Sequence, residues 1–284
     1  MRNLPRYLEG LDPQRDHHTI YRYMVQREFA VDMRVGFGLA FYRTFAIPSI
    51  ARLLHDTGEM IERTDKRGDD TRLAMYELID GGPDSRRGRQ VIARLNRMHR
   101  VYGITNDEYL YVLGTNVFCP TRWIDRHAHR PLHPVERAAT LAFWRRVGDL
   151  MGVQEVPATW EEYEAFFNAF EEANLGPDPA VTPMVEAIRA MTRRRVPRMF
   201  QRVAIQAREA LLDEHLRQAL GIARPSARVL IAVRSLLRVR SLLRRMTGPP
   251  KKDFFTPGEP SRTYPDGYTI EELGPSPVRP VNRR

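Results

Sequence analysis

An all-α fold follows from three features of the 284-residue sequence. Apolar residues recur at three- and four-residue steps along most of the chain, the period of a half-buried helix. No stretch alternates apolar and polar residues as a half-buried strand would. The breaks between periodic runs carry Pro, Gly or a helix-starting Ser, Thr, Asp or Asn. These features predict a single large helical domain of about ten helices over 1–220, a basic amphipathic helix over 221–252 and an extended, Pro-rich tail over 253–284. Hydrophobic residues make up 42% of the chain, enough for a sizeable core.

Taken in order, residues 17–31 predict a short helix with Ile20, Tyr23 and Met24 on one side. Residues 32–55 predict a longer apolar helix that breaks before Pro48, because the residue ahead of a proline avoids the α region. The charged run Thr57–Thr71 reads as a solvated connection with a helix cap at Asp70 or Thr71. Helix resumes over Arg72–Ile79, and GGPDS at 81–85 is a turn that starts the next helix. That helix, 86–102, places Val91, Leu95, Met98 and Tyr102 on one stripe, with Gly103 as its stop. Another begins at Asn106-Asp107 and ends at Pro120, with a further turn over Thr121–His127. Pro134 suits the first turn of a helix over 135–151. Thr159 and Glu162 form a capping pattern ahead of a helix to Asn174. Further helices follow Pro183 and Pro197, the latter running to Leu220, and Val229–Leu243 mixes apolar residues with arginines.

The formal net charge of +10 is unevenly placed. From Gly221 onward the chain holds 13 Lys and Arg against 5 Asp and Glu, so the first 220 residues are nearly neutral. Residues 224–252 carry nine cations and no acid, a segment suited to an anionic membrane surface or, as a competing reading, to nucleic acid. Nucleic acid is the weaker of the two, since no helix-turn-helix pattern is present. The single cysteine, Cys119, excludes an internal disulfide and Cys-rich zinc sites and reads as a small buried hydrophobe. The chain shows no secretory signal, and its most apolar early stretch is broken by Arg43 and Pro48. A cytoplasmic protein, with possible peripheral membrane contact, is expected.

No Gly-rich phosphate loop, G-x-S-x-G elbow or C-x-x-C pair occurs. The candidate chemistry therefore rests on histidines. His99 shares a helical face with Ile92 and Leu95. It is either a hydrogen-bonded core histidine or a ligand to a metal or haem iron, for which a neutral imidazole in an apolar wall is suited. His127, His129 and His133 with Asp125 have spacings that can bind zinc, but Arg126, Arg130 and Pro131 mark a surface loop. His17 and His18 read as polar surface, and His55 as a partner of Asp56.

The stretches FYRTFAIPSIARLLHDTGEMIERTDKRGDDT and LNRMHRVYGITNDEYLYVLGTNVFCPTRWIDR, with SRTYPDGYTIEELG near the end, resemble the MpaB-type oxygenases, relatives of the rubber-cleaving latex-clearing proteins. The resemblance runs from about residue 17 to 274. It implies helices packed in globin-like fashion around one haem b, with His99 as the proximal iron ligand. Arg67 and Thr71 match the family's R-x-x-x-T pattern on the other side of the haem. Asp70 stands where the rubber-cleaving branch has a lysine, and Lys66 lies one position before the arginine. In this reading Arg67 stabilises bound dioxygen or a haem propionate, and Thr71 donates to an oxygen atom on the iron. The second imidazole nitrogen donates to a carbonyl or carboxylate. The implied reaction is dioxygen-dependent cleavage of a carbon–carbon double bond in an apolar, isoprenoid-like substrate. Phe37, Phe41, Tyr109, Phe118 and Trp123 are candidate lining for such a substrate, or else ordinary core. Two alternatives remain: a haem-binding protein without oxygenase activity, and a basic helical binding protein in which Arg63 and Arg67 belong to a salt-bridged surface helix.

Overall fold

The computed structural model describes residues 4–275. Among them there are thirteen α-helices and no strand. They are α1 (His17–Tyr23), α2 (Ala30–Phe45), α3 (Pro48–Asp56), α4 (Glu59–Glu62), α5 (Thr64–Gly81), α6 (Arg86–His99), α7 (Asn106–His127), α8 (Pro134–Met151), α9 (Trp160–Asn174), α10 (Val181–Arg195), α11 (Gln201–Glu209), α12 (Glu214–Ala219) and α13 (Ala227–Thr247). The helix break before Pro48, the turn at 81–85 and the Thr159 cap fall where the sequence places them.

Packing is built on the pair α2 and α7. They cross so closely that a Cβ on Gly36 would lie 2.2 Å from the Cα of Pro120. Pro120 sits inside α7, which continues as one helix of 22 residues instead of ending there as expected. A proline inside a helix forfeits one backbone hydrogen bond. Here the bare backbone of Gly36 lets the ring pack against α2, and burial of Phe118, Cys119, Trp123 and Ile124 on both sides holds the helix together. The larger core gathers Tyr21, Phe29, Tyr111, Phe118, Phe143 and Phe167 between α1, α2, α7, α8 and α9. A second cluster joins Tyr42, Phe45 and Met60 to Met184, Ile188 and Leu216 from α10 and α12.

The charged run 57–71 is not a connection: it forms α4 and the first turns of α5. Ion pairs to distant segments support it, with Asp65 meeting Arg194 at 2.6 Å and Arg195 alongside. Helix α6 stops at His99, with Arg100 as its cap, short of Gly103. The tail wraps over the body. Phe255, Tyr268, Ile270 and Leu273 are buried in the main core, and the Tyr268 hydroxyl donates to the fully buried Glu77 at 2.6 Å. The expected tail segment 276–284 lies outside the described residues. Helix α13 lies on the surface and buries none of its residues.

Candidate functional site

Arg67 and Thr71 lie on α5, and His99 is the last residue of α6. The turn between these helices brings the three together. Gly82 adopts φ 83°, and the Ser85 hydroxyl oxygen accepts the Gly88 N–H at 2.9 Å. A Cβ at Gly88 would fall 2.0 Å from the Gly82 carbonyl oxygen, so only glycine allows this close return. Counted from the turn at 1.5 Å per residue, Arg67 lies about 21 Å up one arm and His99 about 20 Å up the other. The start of α5 therefore sits beside the end of α6.

His99 keeps a partly exposed edge, but its Nδ1 is buried and has no hydrogen-bond partner among the described residues. Among the described residues no hydrogen bond reaches the other ring nitrogen either, and the one ring close to it is Tyr109, edge-on at 5.9 Å. This differs from the expected hydrogen-bonded second nitrogen, and it also removes the satisfied core histidine as a reading. Burial, with a smaller contribution from the positive charge of Arg67, lowers the pKa of the imidazole to about 4. At neutral pH the ring is uncharged and offers a lone pair.

Arg67 faces the same region. No carboxylate pairs with it directly; its guanidinium stands 6.0 Å from the Phe41 ring centroid, and Nη1 donates to the Thr71 hydroxyl oxygen. Burial pushes its pKa down, opposed by the charges of Asp70, Glu59 and Tyr102. A buried guanidinium without an ion pair is costly unless something else meets its donors. Thr71 donates its hydroxyl proton to the Arg67 carbonyl at 3.0 Å. Both bonds of that hydroxyl therefore run to Arg67 in this structure, which couples Thr71 to the position of the guanidinium.

Lys66 points elsewhere. Its Nζ meets Asp70 at 2.7 Å, the Tyr264 hydroxyl at 2.8 Å and the Gly274 carbonyl at 3.2 Å. Lys66 and Asp70 thus fasten the tail to α5. The tail reaches α6 at the same place: a Cβ on Gly274 would lie 2.2 Å from the sulfur of Met98, next to His99.

The other histidines that the sequence singled out have structural partners. His129 Nε2 lies 3.2 Å from Glu28. His133 caps α8, where its Nδ1 accepts the Val135 N–H at 3.3 Å. The His127 ring rests on Trp123, and Asp125 accepts the Leu132 N–H at 3.0 Å. Among the described residues no group of His, Cys, Asp and Glu is arranged to hold a metal ion. His18 is not plain surface: it donates to the Ile79 carbonyl at 3.0 Å beneath Gly82. His55 pairs with Asp56 at 3.1 Å as expected. Cys119 is buried, and burial pushes its thiol up to about 12.

Of the aromatic candidates, Phe41 and Tyr109 border the Arg67–His99 region. Phe118 is fully buried among Trp160, Tyr163 and Phe167, and Trp123 donates to Asp32 at 3.0 Å, so both are core. Phe37 packs edge-on against Tyr76. Glu59, which the sequence did not single out, and Tyr102, which it placed only on a helical stripe, share the electrostatics of Arg67; inside a charged run, Glu59 carried no local signal that set it apart. A cavity of about 890 Å³, lined by Leu39, Arg43, Cys119 and Trp123 among others, contains none of the three site residues. Leu39 and Arg43 are each two residues from Phe41, about 200° around α2, so this cavity opens on the other side of that helix.

Comparison with known proteins adds the family context. The profile described as ER-bound oxygenase mpaB/B'/Rubber oxygenase, catalytic domain, matches residues 27–242, a span that holds Arg67, Thr71 and His99. The chain is 27% identical over 250 residues to the ER-bound oxygenase mpaB' of Penicillium brevicompactum, covering 82% of this chain and 59% of that protein. It is 28% identical over 199 residues to the ER-bound oxygenase mpaB of Penicillium roqueforti, covering 64% of this chain and 67% of that protein. This chain therefore spans about three fifths of the length of the first of these relatives.

Proposed function

We propose that this chain, which belongs to the mpaB and rubber oxygenase catalytic-domain family, is an oxygenase that uses haem b and dioxygen on an apolar, isoprenoid-like substrate. The observation that carries the reading is His99: a neutral histidine whose sealed ring nitrogen has no partner among the described residues, facing a half-buried arginine that no described carboxylate pairs with directly. Both groups lack what a haem offers, a metal for the imidazole and negatively charged oxygen for the guanidinium.

Haem, when bound, supplies the activation of dioxygen and the oxidative cleavage of a carbon–carbon double bond. The chain's own residues do the rest. His99 would hold the iron, and no proton competes for its lone pair until the pH approaches about 4. Whichever ring nitrogen meets the metal, the other finds no acceptor among the described residues, so none of them raises its basicity. Arg67 would donate to negatively charged oxygen, either a haem propionate or oxygen undergoing reduction. Thr71 fixes the direction of that guanidinium. Phe41 and Tyr109 supply aromatic wall and keep water away from the Arg67–His99 region.

Oxygen uptake by hemin-loaded protein with a linear polyisoprenoid tests the reading. Arg67→Ala should slow uptake by about a hundredfold while haem stays bound. Thr71→Ser should retain most activity, whereas Thr71→Val should not. Unaltered uptake in Arg67→Ala would remove that residue from the site. A second reading, a haem protein without oxygenase activity, draws on Asp70: it is tied to Lys66 and Tyr264 where the rubber-cleaving branch carries a lysine. A haem spectrum with no oxygen uptake on any apolar substrate would select it.

A further inference from the structure

We propose that the outward face of α13 is a docking surface for an anionic lipid bilayer. Six large apolar side chains on this helix are exposed: Ile231 at 64%, Leu236 at 69%, Val239 at 51%, Leu242 at 56%, Leu243 at 56% and Met246 at 83%. At about 100° per residue they fall within one sector of about 140°, from Ile231 through Leu242, Met246, Val239 and Leu243 to Leu236. Arg234, Arg238 and Arg245 line one edge of that sector. This is the pattern of a helix lying in a membrane interface, apolar stripe down and cations at the headgroup level.

The rotation of α13 is fixed from its other side. Arg240 donates to Asp32, with one contact at 3.1 Å, and the Ser241 hydroxyl donates to the Ala128 carbonyl at 3.0 Å. Arg244 donates to the carbonyls of Arg27 at 3.0 Å and Glu28 at 3.1 Å. These anchors hold the apolar sector outward, so it cannot turn inward to join the core. Helix α11, packed against α13, adds exposed Val203, with Met199 and Phe200 in the turn just before it.

Charge selects the occupant. Arg228, Arg234 and Arg238 are exposed and have no ion-pair partner among the described residues, and no carboxylate occurs between Gly221 and Lys252. A second copy would bring arginines against arginines with no acid to meet them. A nucleic acid would leave the apolar centre of the face unused. An anionic bilayer satisfies both parts: the cations gain near the charged surface and the apolar stripe is buried. None of the helices among the described residues is long and apolar enough to cross a membrane. A helix held flat on the body by Arg240, Ser241 and Arg244 makes a peripheral contact.

The test is flotation of the full chain with vesicles of phosphatidylcholine alone or with about one quarter phosphatidylglycerol. The protein should float with the anionic vesicles, much less with the neutral ones, and less again as salt rises. Leu242→Asp with Met246→Asp should abolish flotation. Arg234→Gln with Arg238→Gln should weaken it about thirtyfold. Both double variants should keep the parent melting temperature, because these side chains face solvent. Failure of the parent chain to float, or equal flotation of either double variant, would overturn the proposal. A dimer in sedimentation that Leu242→Asp with Met246→Asp dissolves, without flotation, would give the face to a second copy. Duplex DNA binding lost only in the arginine pair, again without flotation, would give it to nucleic acid. None of these outcomes depends on haem, so they leave the oxygenase reading untouched.

Discussion

His99 shows how much of a site one residue's surroundings decide. Its spacing from Ile92 and Leu95 made an apolar setting legible in the sequence, but the absence of any acceptor for its ring depends on which groups α5 and α7 bring near. Its neutrality has a consequence for stability in the haem-free protein. The unfolded chain takes up a proton near pH 6.5, whereas folded His99 resists until about pH 4. The stability owed to its neutral form is intact above 6.5 and lost as pH falls toward 4, by up to roughly 3 kcal/mol. In His99→Phe the denaturation midpoint should fall less steeply over that window. A residual slope should remain, since burial also lowers His18 and His127. An unchanged slope would show that His99 titrates normally. Thr71 is the opposite lesson. Its spacing from Arg67 was readable, but its bond to the Arg67 carbonyl was not, because the hydroxyl donates within its own helix.

At the level of elements, the sequence was clearest where local chemistry decides and least clear where tertiary contacts do. Pro134, the Thr159–Glu162 box and the GGPDS turn act locally, and all three fall where expected. The run 57–71 looked solvated because its charges outnumber its apolar groups. It is helical because Asp65, Lys66 and Asp70 meet partners from α10 and the tail, more than a hundred residues away. Pro120 looked like a helix end for a similar reason: what accommodates it is Gly36 on another helix. Gly36→Ala should therefore destabilise the fold by about 2–3 kcal/mol, through overpacking against backbone that cannot move aside. A chemical-denaturation midpoint equal to the parent's would mean that α2 and α7 separate more easily than their packing implies.

For the whole molecule, the all-α class was legible from periodicity alone, whereas the arrangement that sets Arg67 opposite His99 came from two helix arms of nearly equal length. Helix number was undercounted because short helices such as α4 and α12 carry too few turns to show a period. The charge asymmetry was visible directly, and the fold assigns most of it to one surface helix, α13, and the residues that flank it. A cofactor held between α5 and α6 should stabilise the entire fold by mass action. Hemin at about a hundredfold over its dissociation constant should add about 2.7 kcal/mol and raise the melting temperature by several degrees. No rise in the parent, or an equal rise in His99→Ala, would place hemin elsewhere on the surface.

The central claim, that His99 holds a haem iron with an accessible second face, is tested most directly by absorption spectroscopy. The measurement compares the parent and His99→Ala, both expressed with ample haem precursor, before and after dithionite and then with carbon monoxide. The parent should show a Soret band that shifts on reduction and again with carbon monoxide, while His99→Ala, still folded, should have lost most of its haem. A parent that stays colourless and takes up no added hemin, or a His99→Ala protein with full haem and an unchanged spectrum, would contradict it.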